Sequence, residues 1–300
     1  MTATGDLLHR FLFERLPVRG HLVRLDASWR AAIEHQAYPE AVTAALGEAM
    51  AAAALMAGAL KFEGRLSLQF EGKGPVRLIL AQCTHRHAIR GVARHDALPE
   101  GVPAQGGLFG DGQLAVTIEQ AEGGERYQGV VPLVTARLAD CLEQYFERSE
   151  QLPSRLVLAA TADRAAGILL QRVAMGEAGT ATERAEADDA WKRLGLLVAT
   201  VSPKELFSLP SRQLLRRLFP EDDIRLFEGA PVFFQCTCSR ERVAGILQSL
   251  GGDEVNALLA ERGDVEVRCE FCNRAWRFDA VDVAGLFSPG APQPAPPGLH

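Results

Sequence analysis

Four of the six cysteines lie in two short stretches near the C-terminus, and they constrain the fold more than any other feature of the chain. The first stretch holds the C-x-C pair Cys236 and Cys238, and the second holds the C-x-x-C pair Cys269 and Cys272. Four thiolates placed tetrahedrally at about 2.3 Å from a zinc ion form a closed structural site. The spacing therefore predicts one zinc ion per chain, which would hold this part of the chain together.

The two cysteine pairs differ as redox partners. In an extended strand, residues i and i+2 have Cα atoms about 6.5–7 Å apart, so a disulfide within the C-x-C pair requires the backbone to buckle. A C-x-x-C pair in a turn closes more readily. Because zinc keeps cysteines as thiolates, the form that attacks peroxide, the residues alone leave two interpretations open, a static zinc fold and a redox switch.

The first part of the chain, residues 1–180, mixes helical and strand patterns. Strand-like runs separated by Gly, Pro and polar turns predict an α+β domain with an antiparallel or mixed sheet. Residues 181–230 begin with a polar, charged, Ala-rich stretch and continue with short amphipathic helices, the first of which has a capping box formed by Ser202 and Glu205. This segment is predicted to be a weakly packed helical linker.

The C-terminal part is predicted to be a small zinc-binding domain, residues 231–287, followed by a tail. Two helices and a hairpin whose turn is the C-x-x-C pair make a small core, and Phe233 and Phe234 are expected to belong to it. Domains of this size often need a metal or disulfides for stability. Residues 288–300 are Pro-rich and are predicted to be disordered.

The most apolar stretch, from Ala41 to Leu60, carries Glu48 in its middle. A carboxylate at the centre of a bilayer is costly, so the pattern favours a buried helix of a soluble protein over a membrane span. The N-terminal residues show no uninterrupted apolar segment of the kind that secretory signals contain. These features predict a cytoplasmic protein, in which clustered cysteines are typical of metal or redox sites.

Two other functions for the cysteine region are disfavoured. Residues 231–290 hold six arginines against nine aspartates and glutamates, a balance that fits poorly with a zinc module that binds nucleic acid. A thiol oxidoreductase would need its C-x-x-C pair at a helix N-terminus, whereas this pair lies between two strand-like stretches. No nucleophile triad, phosphate loop or acid–base carboxylate pair is evident, so we expect that the protein is not an enzyme.

The other two cysteines and the histidines are expected to have no metal role. Cys141 falls on an apolar helical stripe and Cys83 ends a strand-like run, so both are predicted to be buried core thiols. His85, His87 and His95 are close in sequence, but they lack a repeated ligand spacing and are predicted to lie on a solvated edge.

Taken together, these motifs resemble the redox-regulated 33 kDa heat shock protein family. The resemblance rests on the C-x-C and C-x-x-C pairs, on the stretch CEFCNRAWRFDAVDVAGLF that contains the second pair, and on the mid-chain stretch ERYQGVVPL…CLEQYFERSEQLPSRLVLA. It extends over nearly the whole chain, and the four cysteine positions show no departure from the family pattern.

The resemblance implies an ATP-independent holdase chaperone. In such a protein, the reduced, zinc-bound form is inactive. Oxidants and mild unfolding release zinc and form two disulfides, and the linker then unfolds. The exposed apolar surface binds unfolding client proteins, and the oxidised form associates as a homodimer. Carried over to this chain, Cys236, Cys238, Cys269 and Cys272 would be both the zinc ligands and the redox pairs.

Overall fold

The computed structural model describes residues 5–98, 107–121, 124–174 and 180–288. The chain divides into two compact units, Met1–Gln235 and Cys236–His300, here called unit 1 and unit 2. The predicted disordered tail falls outside the described residues except for Ser288.

Unit 1 contains most of the secondary structure. Its strands are β1 (Leu7–Phe13), β2 (Val18–Leu25), β3 (Gly64–Gly72), β4 (Val76–Thr84), β5 (Ala88–His95), β6 (Gly112–Gln120), β7 (Arg126–Pro132), β8 (Ser154–Ala160), β9 (Ala165–Arg172), β10 (Ile224–Leu226), β11 (Ala230–Pro231) and β12 (Phe233–Phe234). Its helices are α1 (Ala27–Ile33), α2 (Glu40–Ala59), α3 (Leu138–Ser149), α4 (Ala181–Ala199), α5 (Pro203–Ser208) and α6 (Ser211–Leu218).

The strands of unit 1 form two sheets, so the α+β prediction is confirmed, although the sequence suggested a single sheet. Sheet A has the order β10-β1-β2-β9-β8, and β11 also pairs with β1. All of its pairings are antiparallel. Sheet B has the order β12-β5-β4-β3-β6-β7, and it is mixed because β12 runs parallel to β5.

Helix α2 lies between the two sheets and forms the centre of the main core. It packs against β2, β8 and β9 of sheet A and against β3, β4 and β5 of sheet B. Fifteen of its 20 residues are buried, and ten of the 20 are alanines. Among the described residues, α2 is the one helix long and apolar enough to cross a membrane. However, 78% of its most apolar 18-residue stretch is buried inside the protein. The prediction of a buried core helix is therefore confirmed.

Helices α4 to α6 pack on the opposite face of sheet A, which we call the linker-covered face. Its buried residues are Phe11, Phe13, Val18, Leu22, Ala159, Ala166, Ile168 and Leu170. The helices cover it with Trp191, Leu194, Val198, Leu206, Leu214, Leu215 and Leu218. This packing is closer than the weak packing that the composition of the linker predicted. The first half of α4 is polar, but its buried residues recur at helical spacing along one stripe, and that stripe is enough to dock it.

Local signals set the boundaries of these helices. The predicted capping box of α5 is present, with the Glu205 backbone N–H donating to Ser202 Oγ at 3.3 Å and the Ser202 N–H donating to the Glu205 carboxylate at 3.0 Å. A second capping box, which the sequence analysis missed, joins Thr180 and Glu183 at the start of α4. In α3, Leu138, Cys141, Leu142 and Tyr145 are buried, as the apolar stripe predicted.

The side chain of Arg24 on β2 fixes α5 and α6 to sheet A by polar contacts. Its guanidinium donates to the carbonyl oxygen of Leu206 at 2.8 Å, to the carbonyl oxygen of Leu209, and to Ser211 Oγ at 3.5 Å. The Leu206 carbonyl belongs to the last turn of α5, where helical carbonyls lack intrahelical partners, and Leu209 is the residue that directly follows the helix. One charged side chain thus satisfies acceptors on both sides of the α5–α6 junction.

Unit 2 has a much smaller core. It contains α7 (Arg240–Leu250), α8 (Gly252–Arg262), the hairpin β13 (Val265–Arg268) and β14 (Ala275–Phe278), and α9 (Ala280–Leu286). Its core cluster of buried residues consists of Val243, Leu247, Val255, Val265, Phe278 and Val283. Ser239 caps α7, and Gly263 ends α8 in the left-handed conformation.

We expect Arg24→Leu to loosen α5 and α6 without unfolding the two sheets. Charge-assisted hydrogen bonds each contribute about 1.5–3 kcal/mol, so amide exchange between residues 203 and 211 should accelerate markedly. Exchange in β2 and β9 should stay slow. The control is Arg15→Leu, because Arg15 is 86% exposed and its ion pair with Asp223 should contribute little. Equal exchange in the two variants would show that Arg24 does not fix the helices.

Candidate metal centre

The C-x-C pair lies at the very start of unit 2, in the non-helical segment that leads into α7. Ser239, which follows Cys238, is extended at φ −144° and caps α7 by accepting the backbone N–H of Arg242 at 3.2 Å. The backbone N–H of Cys238 donates to the Cys236 sulfur. The helix cap thus ends the segment directly after the second thiol and holds the pair on a defined backbone.

The C-x-x-C pair occupies the turn between β13 and β14, as the sequence predicted. The backbone N–H of Cys269 donates to the Arg274 carbonyl at 3.0 Å, and the N–H of Asn273 donates to the Cys269 carbonyl at 2.7 Å. Asn273 has φ 52°, a left-handed conformation that asparagine tolerates better than most residues. The backbone N–H groups of Phe271 and Cys272 point at the Cys269 sulfur.

These two segments bring all four sulfur atoms together. The sulfurs lie within 4.8 Å of one another. Two contacts join the pairs, Cys236 Sγ to Cys269 Sγ at 3.6 Å and Cys238 Sγ to Cys272 Sγ at 3.4 Å. A tetrahedron of sulfurs around zinc at about 2.3 Å has edges of about 3.8 Å. The donor set and its spacing therefore fit a tetrahedral thiolate site, and within the described residues no other group of three or more His, Cys, Asp or Glu side chains could hold a metal ion.

Burial affects the four thiols unequally. It raises the pKa of Cys236 well above the usual range and raises the pKa of Cys272 to about 11. Burial also acts to raise the pKa of Cys269, but the backbone N–H groups of Cys272 and Phe271 favour its thiolate, so its pKa is lowered. Thiolates this close repel one another. A divalent cation would relieve that repulsion and allow all four to stay deprotonated.

The remaining cysteines lie outside the site, as predicted. Cys83 on β4 and Cys141 on α3 are both buried, with exposed fractions of 0% and 1%. Burial raises the pKa of the Cys83 thiol far above its ordinary value, which keeps it protonated. His85 and His95 bond to backbone groups at the ends of their strands, His85 to Gly64 and His95 to Asp96.

One residue assignment from the sequence was wrong. Phe233 and Phe234 were expected in the core of the small domain, but they form β12, which pairs with β5 in unit 1. Phe234 packs against the main core, and Phe233 is 44% exposed. The neighbouring Val232 is also buried there. The partner strand lies more than 140 residues away in sequence, and no local pattern shows such a pairing.

Comparisons with known proteins agree with this architecture. The sequence profile of the family described as Hsp33 protein matches residues 6–279. A 33 kDa chaperonin of Nitrosococcus oceani is 45% identical over 296 residues, covering 98% of this chain and 99% of the relative. A 33 kDa chaperonin of Shewanella denitrificans is 43% identical over 289 residues, covering 95% of this chain and 96% of the relative.

A solved structure is similar over the same extent. The crystal structure of the 33 kDa chaperonin, an Hsp33 homologue, from Thermotoga maritima superposes with a TM-score of 0.79 at 26% identity, covering 94% of this chain and 97% of that one. The family profile and the relatives each span almost the entire sequence. The chain therefore belongs to the Hsp33 family.

Proposed function

We propose that this protein is a redox-regulated, ATP-independent holdase chaperone that is inactive when reduced and binds unfolding proteins when oxidised. The observation that carries the proposal is the four-thiol cluster, with all sulfurs within 4.8 Å, in a unit whose own core cluster has only six buried residues. The names of the relatives, 33 kDa chaperonins, support the chaperone part of the proposal.

In the reduced state, Cys236, Cys238, Cys269 and Cys272 would bind one zinc ion. Zinc, when bound, would supply the charge that keeps four thiolates close together. The contribution of a structural zinc to folding is on the order of 10–16 kcal/mol, which is comparable to the roughly 9–18 kcal/mol that burial of six apolar side chains supplies before the cost in conformational entropy is subtracted. Unit 2 would therefore be folded while its thiols are reduced and metal-bound, and it would lose its fold when they are oxidised.

Oxidation would convert the cluster to two disulfides. A thiolate attacks peroxide, the O–O bond breaks, and a sulfenic acid and hydroxide form. A neighbouring thiolate then attacks the sulfenic sulfur, the S–S bond forms, and a second hydroxide leaves. Each disulfide thus consumes two thiolates and one peroxide, and the two hydroxides take up protons from the solvent to become water. We assign the disulfides to Cys236–Cys238 and Cys269–Cys272.

The client-binding surface would be exposed by release of the linker. In our assignment, residues 1–180 bind clients and associate as a homodimer when oxidised, residues 181–230 form the releasable linker, and residues 231–287, of which those from Cys236 onward belong to unit 2, contain the switch. The linker-covered face of sheet A supports this division, because its large apolar residues become accessible when α4 to α6 leave. Such a surface suits unfolded chains, which present apolar segments without a fixed sequence. We place the protein in the cytoplasm, where the resting state is reduced.

The principal test is light scattering from a client protein that aggregates on heating. The reduced, zinc-loaded protein should leave the scattering unchanged, and the same protein treated with peroxide at elevated temperature should suppress it without ATP. Equal suppression by the reduced and oxidised forms would contradict redox control, and no suppression by either form would contradict the holdase function.

The purified, reduced protein is expected to carry about one zinc per chain, as measured by a colorimetric zinc chelator after thiol modification. Cys238→Ser should weaken zinc binding and unfold unit 2, since three thiolates and a hydroxyl bind zinc less well than four thiolates. Cys141→Ser is the matched control, because Cys141 is buried in unit 1 and should not affect zinc. A metal-free wild-type protein with a cooperatively folded unit 2 would contradict the assignment.

Mild peroxide in the cold is expected to form the Cys269–Cys272 disulfide first. These two thiols already share a tight turn, and the Cys269 thiolate is favoured by two backbone N–H groups. The C-x-C pair requires the backbone to buckle, so its disulfide should follow only with heat or denaturant. Mass spectrometry of alkylated peptides over time measures the order. Early appearance of Cys236–Cys238, or of cross-pairs such as Cys236–Cys269, would contradict it.

A chain that ends at Gln235 should suppress client aggregation even when reduced, because it lacks the switch. Truncation at this point keeps β12, whereas a chain ending at residue 230 would lose Val232 and Phe234 from the main core. The shorter chain serves as a control for nonspecific destabilisation, and its melting temperature should be lower. A folded 1–235 chain that still requires peroxide would contradict the proposed role of unit 2.

A further inference from the structure

A cavity in unit 1 separates helix α5 from the central helix α2. Its volume is about 570 Å³, and it is bounded by α2, the start of α3, the end of β8, a loop and α5. The side chains that α2 presents to it are small or acidic, and the residues that line it from α5 are Pro203 and Phe207. The alanines that let α2 fit between two sheets leave this space unfilled where no strand covers the helix.

Glu48 lies in the middle of α2 and lines this cavity. The charged groups around it are few: α2 itself adds Glu40, and the residue before α3 adds Arg137, which is paired with Asp140 at 3.6 Å. The lining residues from the end of β8, from the loop and from α5 are uncharged. Burial raises the pKa of Glu48 from 4.5 to about 7, although the Arg137 charge acts in the opposite direction.

Helix α5 is held on its two sides by very different contacts. Its fully buried side chain is Leu206, and its last carbonyls are held by Arg24. Toward the cavity, Phe207 is only partly buried: it packs against the linker-covered face and also lines the unfilled space. A side chain beside a void loses the dispersion contacts that dense packing would supply. The docking of α5 is therefore sensitive to small changes in the free energy of the groups around the cavity.

We propose that Glu48 makes the docking of α5 pH-dependent, so that the helix is held when the Glu48 carboxyl is protonated and is released more readily when it is ionised. Glu48 is only partly exposed in the cavity, so its ionised carboxylate lacks full hydration, and departure of α5 would open the cavity further to water. Undocking thereby relieves the cost of burying the charge.

The direction in which pH changes the docking of α5 follows from the pKa values of Glu48 in the docked and undocked states. Docking raises the pKa above its ordinary value, so the docked state binds the proton more tightly and undocking releases it. Docking is strongest at low pH and weakens as the pH rises from the ordinary pKa through the docked one. With about 7 for the docked state and the ordinary value of 4.5 as the lower limit for the undocked one, the undocking equilibrium is at most about tenfold larger at pH 8 than at pH 6.

The functional consequence rests on the proposed function, in which α5 belongs to the releasable linker. A rise in pH would then lower the extent of thiol oxidation needed to release the linker. Linker release would thus depend on pH as well as on the redox state of the cysteines. The pH dependence of α5 docking itself does not require chaperone activity, and it can be measured in the reduced protein.

The experiment measures hydrogen–deuterium exchange in residues 203–209 of the reduced, zinc-loaded, full-length protein at pH 6, 7 and 8. Protection factors remove the pH dependence of chemical exchange, and β9 serves as an internal reference for the fold. We expect protection of α5 in the wild type to fall by up to about tenfold between pH 6 and pH 8. In Glu48→Gln, a neutral side chain of similar size, the protection should be high and independent of pH.

Two further variants separate Glu48 from other acids and from misfolding. Glu40→Gln changes a second carboxylate at the same cavity and should keep the wild-type response. Arg137→Gln removes the opposing positive charge, which should raise the pKa of Glu48 further and move the response to higher pH. Identical pH slopes in the wild type and Glu48→Gln, or an unshifted response in Arg137→Gln if Glu48→Gln does not fold, would overturn the proposal.

The same samples distinguish this proposal from the proposed function. If the oxidised protein fails to suppress client aggregation while α5 still responds to pH through Glu48, only the holdase function fails. If the holdase assay succeeds and α5 exchange is the same at all three pH values, only the role of Glu48 fails.

Discussion

The small side chains of α2 are the constraint on which the packing of the rest of unit 1 depends. Two sheets approach this helix from different sides, and alanines between positions 49 and 54 have no exposed surface. Larger side chains at these positions would force the sheets apart, because protein interiors are packed as densely as organic crystals. The glycines around the helix show the same limit: a methyl group on Gly47 would lie 2.5 Å from the Ala160 side chain.

Unit 2 is organised around its four cysteines and has only a small apolar core. Its core cluster contains six buried residues, and its two cysteine pairs converge on one site from segments more than 30 residues apart. Stability that depends on a metal at such a site is sensitive to chemistry, since anything that modifies a thiolate removes a large share of the folding free energy at once. Among its described residues, unit 1, with its dense core, contains no comparable cluster of metal-binding side chains.

Several features of the fold and of the cysteine site could be predicted from the sequence, because they depend on the spacing of residues that are close together in the chain. The four cysteines of the site, the C-x-x-C turn, the buried Cys83 and Cys141 and the capping box at Ser202 all follow from patterns within a few residues. Even Glu48 was recognisable as an unusual carboxylate in an apolar helix. The division into two sheets was not predictable in this way, because it depends on which distant strands pair. The same limit explains the misplaced Phe233 and Phe234, whose partner strand β5 runs parallel.

The topology of sheet A also determines the order in which the chain can fold during synthesis. Sheet B, apart from β12, is built from one continuous stretch between residues 64 and 132, so its strands meet soon after they leave the ribosome. In sheet A, β2 pairs with β9, and their residues are about 150 positions apart, Leu25 opposite Ala165 and Val18 opposite Arg172. Such long-range contacts form late because a long loop must close first. The N-terminal hairpin, although made first, must wait for residue 172 before its sheet can be completed, and the linker-covered face has no covering helices until α4 to α6 have been made. A nascent chain of this protein therefore leaves the apolar residues that β1 and β2 contribute to this face, such as Phe11 and Leu22, without their covering helices until residue 218 has been made.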